Sequence, residues 1–377
     1  MDQEWVEHEA AEIAARAERE LEALVGVSSP SGDVPAADEA VAVASALLPA
    51  EAEVERVACS SPGYARDMVA RLSGSGQGRV LLVGHLDTVI GHADHRPMER
   101  EEDRLIGSGA VDMKGGVVLS LGVLRALARD PGRFAEVALL LVVDEEWRTA
   151  PFAHGERFAD FDASLCFEAG ERGPGGEEGV IVKRKAAGTL RVRAHGVASH
   201  SGSAPDRGRN ALLALAEVAR RVAVEHDPDG PDRLTAVPTV IRSGHAFNAV
   251  PAAGELHCDL RADRLGAFYP VLEAVPADLD GVRLEAELVR RWPGMDTRER
   301  SAALLERAGE LLGRPVVGTQ RGGASDASHM AGHVALSIDG LGPRGGGAHA
   351  PSEFILADSL RTRAEVALAV TAAALGG

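Results

Sequence analysis

Arg79-Val80-Leu81-Leu82-Val83-Gly84-His85-Leu86-Asp87-Thr88-Val89 is the stretch on which the reading of this chain turns. Residues 79–84 form a short, continuous apolar run, the pattern of a strand buried on both faces. A polar His-x-Asp pair follows it without a spacer. In open α/β sheets, ligands gather at the carboxyl ends of strands. The segment therefore predicts an architecture and, at its end, a place for chemistry. An imidazole there can reach a metal while Asp87 holds the ring's other N–H and fixes its tautomer. The same pair also serves in plain hydrogen-bonded turns, so the surrounding segments have to decide.

Working outward, residues 137–143 and 163–167 are further apolar runs of strand length, and helical periodicity covers 4–25, 35–48 and 115–128. Strands alternating with helices predict an α/β domain with a mostly parallel central sheet flanked by helices. The middle differs. Residues 188–195, 236–242 and 254–262 alternate apolar and polar around an amphipathic helix at 208–224. That is the pattern of half-exposed strands with a helix behind them, an α+β sandwich. Helices at 299–313 and 358–375 restore the first character. The expected organisation is a domain made of 1–186 and 296–377, with 187–295 inserted into it. The Gly-rich stretches 170–179 and 342–347 are expected to be loops.

Composition narrows the function. Asp plus Glu number 57 against 40 Lys plus Arg, a formal charge of −17. Such a chain is a poor partner for nucleic acid or an anionic membrane, both of which call for basic patches. No apolar stretch approaches membrane-spanning length. Three widely spaced cysteines, Cys59, Cys166 and Cys258, make no disulfide framework and suit a reducing compartment. The N-terminus lacks a basic start followed by an apolar run, so a cytoplasmic location is expected.

The remaining chemistry-bearing residues also sit at element ends. Asp112 lies in Gly-Ser-Gly-Ala-Val-Asp-Met-Lys-Gly-Gly, just before an apolar helix. It reads equally as a helix cap or as a carboxylate bridging two cations, with Gly115 and Gly116 permitting close approach. Asp144, Glu145 and Glu146 end the 137–143 run, where clustered charge is costly without cations. Successive side chains leave a strand on opposite sides, so one Glu can ligate metal while its neighbour takes a proton from water. Glu168 ends the 163–167 run, and His349 follows a Gly-rich stretch. Two His and several carboxylates supply the mixed N/O donors that zinc accepts. A shared carboxylate gives the two-metal arrangement of aminopeptidases. Arg184 with Lys185, and Arg290 with Arg291, are expected as surface charge.

In this order the motifs resemble a known family. They are Gly-His-Leu-Asp-Thr-Val at 84–89, Asp-Met-Lys-Gly-Gly at 112–116, Asp-Glu-Glu at 144–146 and Phe-Glu at 167–168. Ala-Ser-His-Ser-Gly at 198–202, Asn-Ala-Val-Pro at 248–251 and the late His349 complete the set. Together they resemble the two-zinc exopeptidases that include bacterial glutamate carboxypeptidase, acetylornithine deacetylase, succinyl-diaminopimelate desuccinylase and aminoacylase. The resemblance implies a catalytic domain holding two Zn²⁺ per chain, with Co²⁺ or Mn²⁺ as substitutes, and an inserted lid and dimerisation domain. It implies His85, Asp112, Glu146, Glu168 and His349 as metal ligands, with Asp112 bridging. Asp87 would orient His85, and Glu145 would be the general base and acid. His200 would reach the active site of a second copy and steady an oxyanion. Asn248, Arg261, Gly323 and Ser325, the last two within Gly322–Asp326, would contact substrate. The implied reaction is cleavage of an amide bond next to a carboxylate in a small molecule or dipeptide, as a glutamate carboxypeptidase does. Removal of an acyl group from an amino acid or biosynthetic intermediate is the alternative.

Overall fold

A computed structural model describes residues 1–376. The chain divides into two compact units. One comprises Met1–Lys183, Asp296–Gln320 and the described residues from Ser325 onward; the other comprises Arg184–Met295 with Arg321–Ala324.

The first unit is built around a six-stranded sheet. In spatial order its strands are Glu53–Val57, Asp67–Ser73, Glu136–Val142, Arg79–His85, Ala163–Cys166 and Leu336–Ile338. The first two pairings are antiparallel and the other three parallel. The sheet is therefore mixed, with a mostly parallel centre. The His85 strand lies between the strands leading to Glu146 and to Glu168, in register from Leu82 to Leu139 and to Leu165. All three run the same way, so their carboxyl ends share one edge. Leu81, Leu82, Val83, Leu139, Leu140 and Leu165 are fully buried, which is why these strands read as unbroken apolar runs.

Helices Gln3–Val25, Gly115–Ala128 and Ser359–Ala374 pack with this sheet into one core. Val6, Ala10, Ile13, Ala17, Leu21 and Leu24 recur at helical spacing on the buried face of the first. Asp2 caps it by accepting from Trp5 N–H at 3.0 Å. Arg298–Leu312 ends at Gly313, whose φ of +65° supplies the left-handed residue that closes many helices.

The strands Glu53–Val57 and Asp67–Ser73 have no counterpart in the sequence-based expectation. Glu53–Val57 is a charged edge strand with three exposed side chains, so no apolar run announces it. Each of the two Gly-rich stretches expected to be loops contains a short strand. Glu171–Arg172 pairs with Gly179 and Glu178, and Gly345–Gly346 pairs with Ile355 and Phe354.

In the second unit an antiparallel sheet runs Thr235–Ser243, Ala253–Ala262, Ala186–His195, Val282–Trp292, Asp278–Leu279. The helix Ala211–Val224 covers one face through Ala214, Leu215, Val218 and Val222. It starts later than residue 208 because Asn210 caps it, its side-chain oxygen accepting from Leu212 and Leu213 N–H. The strand Val282–Trp292 adds to the three expected ones. It alternates in the same way, since Val282 and Leu284 point inward while Arg283 and Glu285 are exposed.

Gly116 sets how closely the Gly115–Ala128 helix meets the end of the Ala163–Cys166 strand. A Cβ there would stand 1.8 Å from the Phe167 carbonyl oxygen. Helix propensity alone favours alanine over glycine by about 1 kcal/mol, yet the clash forces a backbone shift of the kind that costs about 1–3 kcal/mol. Gly116→Ala is expected to lower the melting temperature in calorimetry, by about 2–4 °C per kcal/mol lost. An unchanged or raised temperature would show that the helix start is not under this constraint.

Candidate metal centre

Three strand ends and two loops converge in the first unit. Asp112 sits in a turn at Ala110–Lys114, ahead of its helix. One of its oxygens, Oδ1, lies 3.1 Å from His85 Nε2, and the other, Oδ2, lies 3.1 Å from His349 Nε2. Glu168 Oε1 is 3.7 Å from His85 Nε2, and Glu146 Oε2 is 3.1 Å from His349 Nε2. Two donor sets result, His85–Asp112–Glu168 and Asp112–Glu146–His349, each with its ligand atoms within 4.8 Å of one another. They share the one carboxylate.

The donor set fits two borderline divalent cations, each met by one imidazole nitrogen and two carboxylates. Glu146 Oε1 is buried and has no hydrogen-bond partner, an acceptor that a cation would satisfy. Hydrogen bonds to Asp112 and Glu146 raise the His349 pKa to about 10. Burial depresses His85, but its hydrogen bonds to Asp112 and Asp87 outweigh that and hold it well above the ordinary imidazole value. Burial likewise pushes Asp112 up, and the two imidazoles more than reverse it. Burial raises Glu146 above the usual carboxylate range.

Glu145 and Glu146 are separated by a turn rather than by strand alternation. The strand stops at Val142. Beyond it the Asp87 carboxylate accepts from the Glu145 N–H through Oδ1 and from the Glu146 N–H through Oδ2, both at 3.1 Å. The two neighbours are thus fixed by their main chain. Burial raises the Glu145 carboxyl well above its usual range, and Glu168, Asp326 and Glu146 reinforce the shift against the opposing pull of His85. Asp87 orients His85 differently from the expected carboxylate–imidazole pair. His85 Nδ1 is 3.0 Å from the Asp87 carbonyl oxygen and 3.4 Å from Oδ1. The carboxylate is engaged by the two Glu N–H groups and by the Ser31 hydroxyl at 2.7 Å.

Two further roles escaped the reading of the sequence. Asp144 accepts from Ser61 and from Arg148, and Arg148 forms a two-pronged pair with Asp326 at 2.5 and 3.0 Å. Glu353, almost fully buried, accepts from three main-chain N–H groups around Asp112. Its only sequence signal was its place four residues after His349.

The remaining candidates are spread more widely. Ser325 and Asp326 belong to the first unit. Ser325 is buried and donates its hydroxyl to Asp339, and its carbonyl accepts from the Ser328 N–H at 2.9 Å. His200, Asn248, Arg261 and Gly323 belong to the second unit. His200 is exposed, in a two-stranded ladder with Ala249. Its Nδ1 accepts from Gly202 and Ser203 N–H at 3.1 and 3.2 Å, so a neutral ring carries its proton on Nε2. The Asn248 carbonyl oxygen accepts from the Ser201 N–H. Arg261 lies near the far end of the Ala253–Ala262 strand, about 25 Å along it at strand rise, and pairs with Asp259 at 3.0 Å. The structure therefore groups His200 with Asn248 but not with Arg261. The Gly323 carbonyl accepts from Arg184, which is buried rather than at the surface. Lys185 is half-buried and donates to the Arg233 carbonyl.

Known proteins resemble this chain in sequence and in fold. Carboxypeptidase G2 of Pseudomonas sp. strain RS-16 is 27% identical over 353 residues, covering 87% of this chain and 82% of that one. The [LysW]-lysine/[LysW]-ornithine hydrolase of Saccharolobus solfataricus is 29% identical over 187 residues, 49% of each chain. The fold matches that of aminopeptidase PepT from Bacillus cereus with a TM-score of 0.76 at 19% identity, over 96% of this chain and 98% of the other. The model of Peptidase family M20/M25/M40 matches residues 81–373. That span runs from the His85 strand past His349, and the chain belongs to this family of hydrolytic enzymes.

Proposed function

We propose that the protein is a dizinc metallohydrolase that cleaves an amide bond adjacent to a carboxylate, in the manner of a glutamate carboxypeptidase. The observation that carries the reading is Asp112, with one oxygen 3.1 Å from each of two imidazoles. A carboxylate so placed suits two cations a few ångströms apart. The similarity to carboxypeptidase G2 over most of both chains favours the exopeptidase direction.

His85, Asp112 and Glu168 would hold one ion, and Asp112, Glu146 and His349 the other. Bound zinc supplies Lewis acidity to the amide carbonyl and acidifies water. Glu145 takes the proton of the attacking water and delivers it to the leaving nitrogen, for which a raised carboxyl pKa is suited. His200 of a second copy donates its Nε2–H to the developing oxyanion, which makes the inserted segment 187–295, within the unit Arg184–Met295, a lid and dimerisation domain. Asn248 and the main chain at Gly323 and Ser325 are the candidates for the substrate carboxylate or carbonyl, with Arg261 as a more distant one. Among the described residues no helix is long and apolar enough to cross a membrane. A cytoplasmic site of action accords with Cys59, Cys166 and Cys258 forming no disulfide among the described residues.

Three outcomes test this reading. Metal analysis of the purified protein is expected to approach two ions per chain, and Asp112→Asn to lose more metal than any other single substitution. Full activity of a metal-free preparation would end the proposal. Glu146→Gln is expected to lower metal content with the rate. Glu145→Gln keeps both ions and lowers turnover about 10²–10⁴-fold, the usual worth of a positioned acid–base group. Loss of both ions from Glu145→Gln, or near-normal turnover, would remove Glu145 from its role. Product analysis with C-terminal glutamyl dipeptides and N-acyl amino acids is expected to show preferred release of a C-terminal amino acid. Release of an acyl group instead would assign the chain to the deacylases.

A further inference from the structure

Glu353 is a buried carboxylate to which the proposed reaction gives no task. It is 2% exposed. Among the described residues no cationic side chain faces it at hydrogen-bond distance. Its partners are three main-chain donors: Gly109 N–H to Oε2 at 3.0 Å, Val111 N–H to Oε1 at 2.9 Å and Asp112 N–H to Oε1 at 3.0 Å. Its own main chain joins the same two segments, because its carbonyl accepts from Gly107 N–H at 3.0 Å and its N–H donates to the Ala350 carbonyl at 3.0 Å. Ala350 N–H in turn reaches the Gly347 carbonyl at 2.9 Å. That closes a turn around His349, whose φ of +65° is uncommon for a residue with a side chain. One residue thus ties the turn bearing the shared carboxylate to the loop bearing an imidazole.

The geometry points to Glu353 as a positioning residue that sets Asp112 and His349 at the spacing the second cation requires. The inference rests on the two-metal reading and deepens it. A carboxylate is needed for a definite reason. Both its oxygens accept, whereas a glutamine would turn an amide N–H₂ against either Gly109 or the Val111 and Asp112 pair, setting donor against donor. The seat made of Asp112, Glu146 and His349 contains both tethered ligands. The seat made of His85, Asp112 and Glu168 contains one. Loss of Glu353 is therefore expected to act unequally on the two.

The test is a calorimetric titration of metal-free protein with Zn²⁺, alongside melting of the metal-free form. Wild type is expected to take two ions. Glu353→Gln is expected to keep one binding event near its wild-type affinity and to weaken the other about 10–100-fold, the usual effect of losing a group that orients metal ligands. Unchanged affinity at both seats would overturn the inference and leave the two-metal reading standing. So would equal weakening of both seats with a lowered melting temperature, the mark of a merely structural residue. A wild-type protein that binds no zinc would overturn both readings. Should Glu353→Gln not fold, Glu353→Asp, which keeps the charge but withdraws it by one methylene, is titrated and judged by the same outcomes.

Discussion

Negative charge gathered in a place poor in water is the constraint on which the rest of this structure depends. Asp112, Glu145, Glu146 and Glu168 surround two imidazoles at the carboxyl edge of the sheet. Carboxylates buried together repel one another and lose hydration, and only positive charge between them makes the arrangement tolerable. His85 and His349 face that negative charge, with Asp112 between them. Two cations would offset it, because each carries a double charge and accepts several oxygens at once.

The groups behind the ligands follow from the same constraint. Three buried carboxylates hold main chain or ion pairs rather than cations. Asp87 grips the N–H groups of Glu145 and Glu146. Glu353 grips those of Gly109, Val111 and Asp112. Asp144 accepts from Ser61 and, through Arg148, is joined to Asp326. Each fixes a loop at the edge of the centre. Ligands borne on loops acquire in this way the rigidity that strands would otherwise provide. The Gly115–Ala128 helix adds a steric limit, since Gly116 lies against the Phe167 carbonyl one residue before Glu168.

The fold was legible where burial writes a simple pattern. The strands Arg79–His85, Glu136–Val142 and Ala163–Cys166 are buried on both faces, and their apolar runs needed no tertiary information. The edge strand Glu53–Val57 left no such trace, because an exposed strand need not be apolar. Alternation carried on through Asp144, Glu145 and Glu146 misled for a related reason. Periodicity holds only while the chain remains a strand, and here the chain turns just past Val142, held by a residue 58 positions away in sequence from Glu145.

By itself the sequence determined the class of fold, the edge of the sheet where chemistry gathers and the residue types available there. Those are local properties, set by apolar spacing and by which polar residues follow each run. Only the tertiary structure decided that Asp112 faces two imidazoles at once, one 27 residues before it and the other 237 after it in the chain. It alone revealed that Glu353 accepts from the main chain around Asp112, that the Ser325 hydroxyl is turned inward to Asp339 and that Arg184 is buried. The physical reason is that a carboxylate or guanidinium takes its role from the partners that reach it. Those partners arrive from distant segments whose meeting no local pattern records.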